Sequence, residues 1–456
     1  MNLPRATFRS GRRGSVLIVV LWLVFGLVSI ALYFAHSMAL ELRASDNRAS
    51  GVAADQAIEG ASRYIAAVLA AYATNGVVPD LSLYKAEAVP VGDERFWILG
   101  RDNSAAPARS RPVFFGLVDE ASKLNLNTAS TNSLYGLPRM TPDMASAIAD
   151  WRNPSPNGGS ALSYAMLEPP YQCKGAPFET VDELRLVYGA TLDLLAGEDL
   201  NRNGILDANE TDENGNGDVD SGLLDLLTVY SREPNRRSDG TPLANVNNTA
   251  QLRPVLSARL GGGRAEAVLE RLGLSSPPDS GGTNAESAAA APPPIRGPLD
   301  LYLRSGMTAD EFALVAGDIT TRTASYTPGR VNVNTAGAAV LACLPGLDAN
   351  AAQQLVAYRR ANAGRLASVA WLADALSSNP VALQALAAED VVTTQSYQFT
   401  ADIAAVGPHV RGYRRVKFVF DVIGGTPRVV YRQDLSRLGW ALGPNVRETW
   451  LARNTP

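Results

Sequence analysis

The sequence is poor in the side chains on which most enzymes rely. His36 and His409 are its only histidines, so imidazole-based metal or acid–base chemistry has little material. Cys173 and Cys343 are its only thiols, and neither has a histidine near it in sequence. One disulfide is open to them in an oxidising compartment, but the sequence alone does not bring them together. Cys343, inside VLACLPG, reads as a small core residue. No GxSxG, HExxH or phosphate-loop sequence occurs. A catalyst is not expected. Positive charge is not in surplus either: 41 Lys and Arg stand against 45 Asp and Glu, for a net charge of −4. The electrostatic footprint of a nucleic-acid binder is missing.

What the chain does have is one long apolar run. Residues 15–35, SVLIVVLWLVFGLVSIALYFA, carry no charge. At a helical rise of about 1.5 Å per residue they reach across a bilayer core of about 30 Å. Before them stands MNLPRATFRSGRRG, with Arg5, Arg9, Arg12 and Arg13 and no acid. That flank should stay cytoplasmic, with everything beyond Glu41 outside. A secretory signal peptide would have a shorter apolar core and a small-x-small cleavage site, for which Ser37-Met38-Ala39 is a weak match. The run continues without a breaker into a long amphipathic helix ending near Asn75-Gly76. Leu42, Ala49, Ala53, Ala57, Tyr64, Val68 and Ala71 form its expected core stripe.

A basic leader, then Gly14, then a long helix whose first half suits lipid resembles a type IV prepilin. The resemblance implies cleavage by a prepilin peptidase between Gly14 and Ser15, with methylation of the new Ser15 amine an open point. Most pilins carry Glu as the fifth mature residue; here that position is Val19. The general secretion pathway protein K family, the large minor pseudopilins of type II secretion, departs from pilins in the same way. The start RRGSVLIVVLW and the chain length both fit that family.

An internal repeat follows. LNLNTASTNSLYGLPRMTPDMASAIADWR starts at Leu124 and VNVNTAGAAVLACLPGLDANAAQQLVAYR at Val331, aligned without a gap. Each copy reads as a short strand, a cap and two helices around a tight turn. Asn127 or Thr128, and Asn334 or Thr335, are the expected caps. Ile148 with Trp151, and Leu355 with Tyr358, are the expected buried pairs. A weaker third copy starts at Asn245. The repeats resemble helix-hairpin-helix motifs, which commonly hold DNA phosphates. The hairpins Pro138-Arg139-Met140-Thr141 and Pro345-Gly346-Leu347-Asp348 suit packing better: the first lacks Gly, and the second puts a carboxylate where a phosphate would sit.

Between the repeats, DLNRNGILDANE has the full twelve-residue EF-hand pattern for Ca2+. Asp199, Asn201 and Asn203 occupy positions one, three and five, with Gly204 at the turn. The Ile205 carbonyl, Asp207 and Glu210 fill seven, nine and twelve. Hard oxygen donors at alternate residues suit a cation with six to eight ligands. The next loop repeats the spacing with Asp212, Asn214, Asn216, Asp218 and Asp220, but has Leu223 at position twelve. It either holds a second ion by borrowing a carboxylate such as Asp225, or lends ligands to the first. Neither loop is flanked by paired amphipathic helices, so a structural clip is expected rather than a sensor.

Residues 275–298 are rich in Pro, Gly, Ser and Ala and read as a flexible surface excursion. Expected strands lie at residues 96–101 and 113–127 and in three runs near the C-terminus, the last two joined through Gly424-Gly425-Thr426-Pro427. The fold class is α+β: a pilin-like N-terminal helix on an antiparallel sheet, with a large, mainly helical insertion. The divisions are a leader (1–14), the helix (15–76, with 15–35 transmembrane), a body sheet (77–123 and 391–456) and the insertion (124–390). The insertion carries the calcium loops (199–225). Resemblance to protein K further implies a place at the pseudopilus tip with minor pseudopilins I and J. The same resemblance implies an inner-membrane anchor, a periplasmic C-terminal domain and contact with secreted cargo or the secretin; net acidity and the hairpin sequences argue against nucleic acid. The rival reading is a membrane-anchored helix-hairpin-helix DNA-binding protein of a competence system.

Overall fold

The computed structural model describes residues 14–73, 76–102, 112–154, 160–217, 219–237, 239–274 and 292–453. The expected leader up to residue 13, Asp218, and most of the Pro-rich stretch lie outside them.

One helix, α1 (Gly14–Tyr72), opens the chain. Its first half is apolar yet exposed: Trp22 is 77% exposed and Phe25 61%. The part from Val16 onward is long and apolar enough to cross a membrane. Burial begins only near Gly51, where the stripe is Ala54, Ala57, Ile58, Ala61, Ile65, Val68 and Leu69. The expected stripe holds at Ala57 and Val68, while Ala53 and Tyr64 are half-buried. It fails at Leu42, Ala49 and Ala71, which are exposed. The first two lie before the point where the helix meets the sheet, and Ala71 lies off the contact face. Helical periodicity was real there, but nothing stood opposite to bury it.

The sheet comprises β1 (Val89–Val91), β2 (Glu94–Leu99), β3 (Val118–Asp119), β4 (Gln398–Val406), β5 (Arg414–Asp421) and β6 (Arg428–Asp434). Their order is β1-β2-β4-β5-β6, all antiparallel, with β3 paired to β4. Chain ends far apart in sequence thus meet at β4, where Ile403 lies opposite both Ile98 and Val416. Phe399, Ala401, Ile403 and Ala405 pack with Phe96, Ile98, Phe418 and Phe420 under α1. On the reverse face, Ala404 and Val406 join Trp97, Leu99, Ala441 and Leu442. A terminal helix, Gly443–Arg453, covers part of that face through Trp450, whose ring meets Trp97 edge-on. This helix was not expected from the sequence.

The expected strand over residues 113–127 is broken. Asp119 Oδ1 accepts the Ala121 amide at 2.7 Å and caps a tight turn, Glu120–Ser122, that redirects the chain. Beyond the turn Leu124–Asn125 leaves the sheet and pairs in parallel with Leu227–Thr228. The same parallel pairing recurs twice: Ala244–Asn245 with Ile319–Thr320, and Val331–Asn332 with Val392–Thr393. In all three, the first Asn takes the amide two residues on at 2.9 Å. The second Asn (Asn127, Asn247 or Asn334) donates at 2.9 Å to a distant carbonyl, that of Phe178, Ile295 or Leu366. The insertion is therefore built from three copies of one unit, sharing an apolar core of their own.

These bridges explain why the expected caps were misplaced. Asn127 and Asn334 tie the unit's two ends together, and the helices are capped by Ser130, Thr141 and Asp348 instead. Ile148, Trp151 and Leu355 are buried, whereas Tyr358 is half-buried and stacks on Trp371 at 5.6 Å. Gly136 and Cys343 are equivalent positions of the first and third units. A Cβ on Gly136 would lie 3.1 Å from Cys343 Cα, so the two units meet at this point and Gly is needed there. Cys173 and Cys343 do not pair: each thiol donates to a carbonyl, of Asp150 and Ala339 respectively.

Candidate cation loops

The first acidic loop closes around its own carboxylates. Asp199 accepts the Asn203 amide at 2.9 Å and the Gly204 amide at 2.6 Å. Glu210 accepts the amides of Asn201, at 3.2 Å, and Asp207, at 2.9 Å. Asp207 accepts the side-chain amides of Asn201 and Asn203, the latter at 2.8 Å. Asn203 Oδ1 takes the Ile205 amide at 2.9 Å. Residues one, three, five, nine and twelve of the loop are thus drawn together, Asp199 and Asn203 with no exposed surface at all.

Burial pushes the Asp199 carboxyl above its usual range; nearby Arg101 opposes this and Asp225 adds to it. An acid held this way gains from a cation beside it. Asn201 Oδ1 is buried with no hydrogen-bond partner, an uncommon cost for an amide oxygen. Turning that amide over would aim the oxygen at Asp207 and enlarge the set of hard donors. Among the described residues no three Asp, Glu, His or Cys side chains converge as a metal-holding group. The donor set that fits a cation here includes amide and main-chain oxygens, as calcium accepts and zinc does not.

The second loop is hung differently. Asp212 accepts the amides of Gly215 and Gly217, both at 2.7 Å, and Asn214 donates to Asp220 as Asn201 does to Asp207. A carboxylate from outside the loop, Glu198, stands where the twelfth residue's would. Its Oε2 takes the Asp220 amide at 3.0 Å, the place Glu210 holds on Asp207, and its Oε1 takes the Glu213 amide at 2.8 Å. The expectation of Asp225 is corrected: that carboxylate is engaged by Arg101 at 3.0 Å and Arg202 at 3.7 Å. Those arginines hold it well below the usual carboxylate range despite its burial. Gly197 makes the borrowing possible, since a Cβ there would stand 2.2 Å from the Asp220 carbonyl, and its φ is +68°.

Sequence reasoning missed the residues behind the first loop. Arg415 has a side chain with no exposed surface and grips Asp402 twice, at 2.9 and 2.6 Å. It also donates to the carbonyls of Asn201 and Arg202, and Arg101 donates to the latter at 2.9 Å. Asp402 and Arg415 alternate with apolar residues on their strands, so in sequence they resemble a solvent-facing row. Asp402 stood out by its apolar neighbours Ala401 and Ile403, whereas Arg415, between Arg414 and Val416, gave no such signal.

At the N-terminus, α1 starts at Gly14, which puts the Gly14–Ser15 bond in its first turn. In the third repeat, Asp348 caps the second helix by accepting the Ala351 amide at 2.8 Å. In the first, Arg139 pairs with Glu213 at 3.0 Å. A carboxylate therefore already occupies one hairpin position where a phosphate would bind, and the other hairpin's arginine is engaged.

A family model for type II secretion system protein K matches residues 122–197. A helix-hairpin-helix model matches residues 328–388, the third unit. No curated protein matches the chain. Among solved structures, the chain resembles one in the crystal structure of the GspK-GspI-GspJ complex from the enterotoxigenic Escherichia coli type 2 secretion system. The identity is 10% and the TM-score 0.37, over 84% of this chain and 95% of that one. The leader, the paired repeats and the acidic segment pointed to one family, and over residues 122–197 the chain is similar to type II secretion system protein K.

Proposed function

We propose that this protein is a minor pseudopilin that caps the tip of a type II secretion pseudopilus and is fixed in shape by calcium. The observation that carries the reading is α1: one unbroken helix, apolar and exposed for its first half, then buried against an antiparallel sheet. Such a helix needs lipid or neighbouring helices to cover it. Kinship with protein K supports minor pseudopilins I and J as those neighbours once a prepilin peptidase has cut between Gly14 and Ser15. The helical insertion, more than 200 residues long, would clash with a subunit stacked above it, which favours the tip. Val19 in place of the usual fifth-position Glu leaves no buried carboxylate seeking an amine ahead of it.

In this reading Asp199, Asn201, Asn203, Ile205, Asp207 and Glu210 hold one Ca2+. Asp212, Asn214, Asn216 and Asp220, with Glu198, hold a second. The protein primes assembly and supports export of folded cargo through the outer membrane. The first test is the mass of the N-terminus in membranes with and without a prepilin peptidase. A peptidase-dependent start at Ser15, followed by co-purification with minor pseudopilins I and J, is expected. An intact leader would leave an ordinary membrane anchor.

A further inference from the structure

The first acidic loop contains a backbone conformation that its own residues do not favour. Arg202, at loop position four, has φ +59°, the left-handed region that a side chain with a Cβ rarely adopts. The two peptide units around it are held from both sides. The Asn201 carbonyl points to Arg415, and the Arg202 amide of the same unit points the other way, 3.2 Å from the Asp199 carbonyl. The Arg202 carbonyl is held by Arg415 at 2.7 Å and by Arg101 at 2.9 Å. The amide of that second unit, on Asn203, reaches Asp199 Oδ1 at 2.9 Å. A trans peptide aims its C=O and N–H in opposite directions. Fixing both carbonyls outward therefore turns both amides inward, onto the residue that opens the loop.

We propose that Arg415, assisted by Arg101, is the positioning residue of this cation loop. It touches no ion; it holds the loop in its ion-binding shape and anchors it to Asp402 on the central strand. The inference rests on the calcium reading above. It also predicts a sign opposite to that of simple charge. Two guanidinium groups beside a cation site should weaken binding by repulsion, so losing one should tighten it. If the arginines act by orienting peptides, losing one weakens binding. The positive charges are already balanced, Arg415 by Asp402 and Arg101 by Asp225.

The test uses the full chain in detergent, stripped with a chelator and titrated calorimetrically with calcium chloride, in an Asp212→Asn background that disables the second loop. Arg415→Lys keeps the charge but cannot hold two carbonyls and Asp402 together; calcium affinity should fall at least tenfold. Adding Arg202→Gly, which adopts positive φ without strain, should recover more of that loss than adding Arg202→Ala, which removes the same guanidinium but keeps the strain, an outcome that neither charge loss nor a general packing defect would give. If Arg415→Lys fails to fold, Arg101→Lys, which loosens only the Arg202 carbonyl, should weaken binding about threefold. Affinity unchanged or tightened in the folded arginine variant overturns the positioning role and leaves the calcium reading intact. No calcium uptake by the Asp212→Asn parent overturns the calcium reading of the first loop itself.

Discussion

Along β4, side chains alternate between two environments that are equally dry and chemically opposite. Toward α1 stand Phe399, Ala401, Ile403 and Ala405, packed on aromatic and branched neighbours. On the other face, before Ala404 and Val406 turn the row apolar, Thr400 donates to Glu120 at 2.6 Å and Asp402 is locked to Arg415. Burial alone would raise the Glu120 pKa, but Lys123 at 2.5 Å and nearby Lys417 hold it down at about 2. Lys417 is itself pushed down to about 8 by burial, then by Lys123 and Arg202. The apolar face needs only shape and volume. The polar face needs every partner present, because one charge left alone inside costs several kcal/mol. That difference assigns the two faces separate duties. One holds the sheet to the long helix, and the other holds the insertion and its acidic loops to the sheet.

The largest effect should come from the apolar face. Phe399→Ala removes a fully buried ring and should cost about 3–5 kcal/mol. No residue of that cluster belongs to the acidic loops. The loss of thermal stability should therefore be the same with calcium or chelator at one fixed pH. A calcium-dependent loss would break the division between the faces.

Where the sheet meets the insertion the corresponding effect depends on pH: Asp119 pairs opposite Phe399, and Ser396, Thr335 and Asn332 donate to its carboxylate. Asp119 is pushed up to about 6 by burial, although Ser396, Thr335, Ala121 and Asn332 all donate to it. An acid whose pKa is higher folded than unfolded binds its proton more tightly in the fold. Its stabilising contribution is present at low pH and is lost as pH rises from 3.8 through about 6. Relative to Asp119→Asn, which cannot titrate, the native chain should lose about 2 kcal/mol of unfolding free energy between pH 4.5 and 7.5. Denaturant titrations of both proteins at the two values measure this. Parallel curves would mean that the four donors already neutralise the cost of burying the charge.

The two faces also differ in how far the sequence reveals them. The apolar row of β4, the β5–β6 hairpin with Gly424 and Gly425 at positive φ, and the apolar run of α1 could all be read directly, since each is a local pattern. So could the spacing of the first acidic loop and the repeated NxNTA units. What could not be read depends on partners far along the chain. Asp402 and Arg415 look like surface residues until the loop 200 residues earlier is laid on them. Asn127 looks like a helix cap until Phe178 comes within reach, and α1's stripe runs on past the sheet that ends its burial. A loan of a carboxylate to the second loop was expected from Asp225, whereas Glu198 is the one that accepts that loop's amides. Proximity in sequence gave no sign that two arginines already held Asp225.

That loan gives the smallest predicted effect and the sharpest one. The second loop has no arginine grip on the sheet. Its exposed Asn214 and Asn216 leave it tied to the remainder of the insertion through Glu198, the pairing of Gly197 with Ser221 and the exposed ion pair of Glu213 with Arg139. Glu198→Gln keeps the shape and one acceptor oxygen while removing the charge and the second acceptor. If both loops bind calcium independently, titration of this variant should show one site unchanged and the other weakened about tenfold, close to 1.4 kcal/mol. Thermal stability in chelator should scarcely move, because in the absence of an ion Glu198 serves only two loop amides. Asp225→Asn provides the contrast. It should leave the second site's affinity nearly intact while lowering stability in chelator, since it strands Arg101 and Arg202 on the buried polar face. If the two variants exchanged these effects, Asp225 would be the borrowed ligand and the arginine pairing a feature of the ion-free state alone.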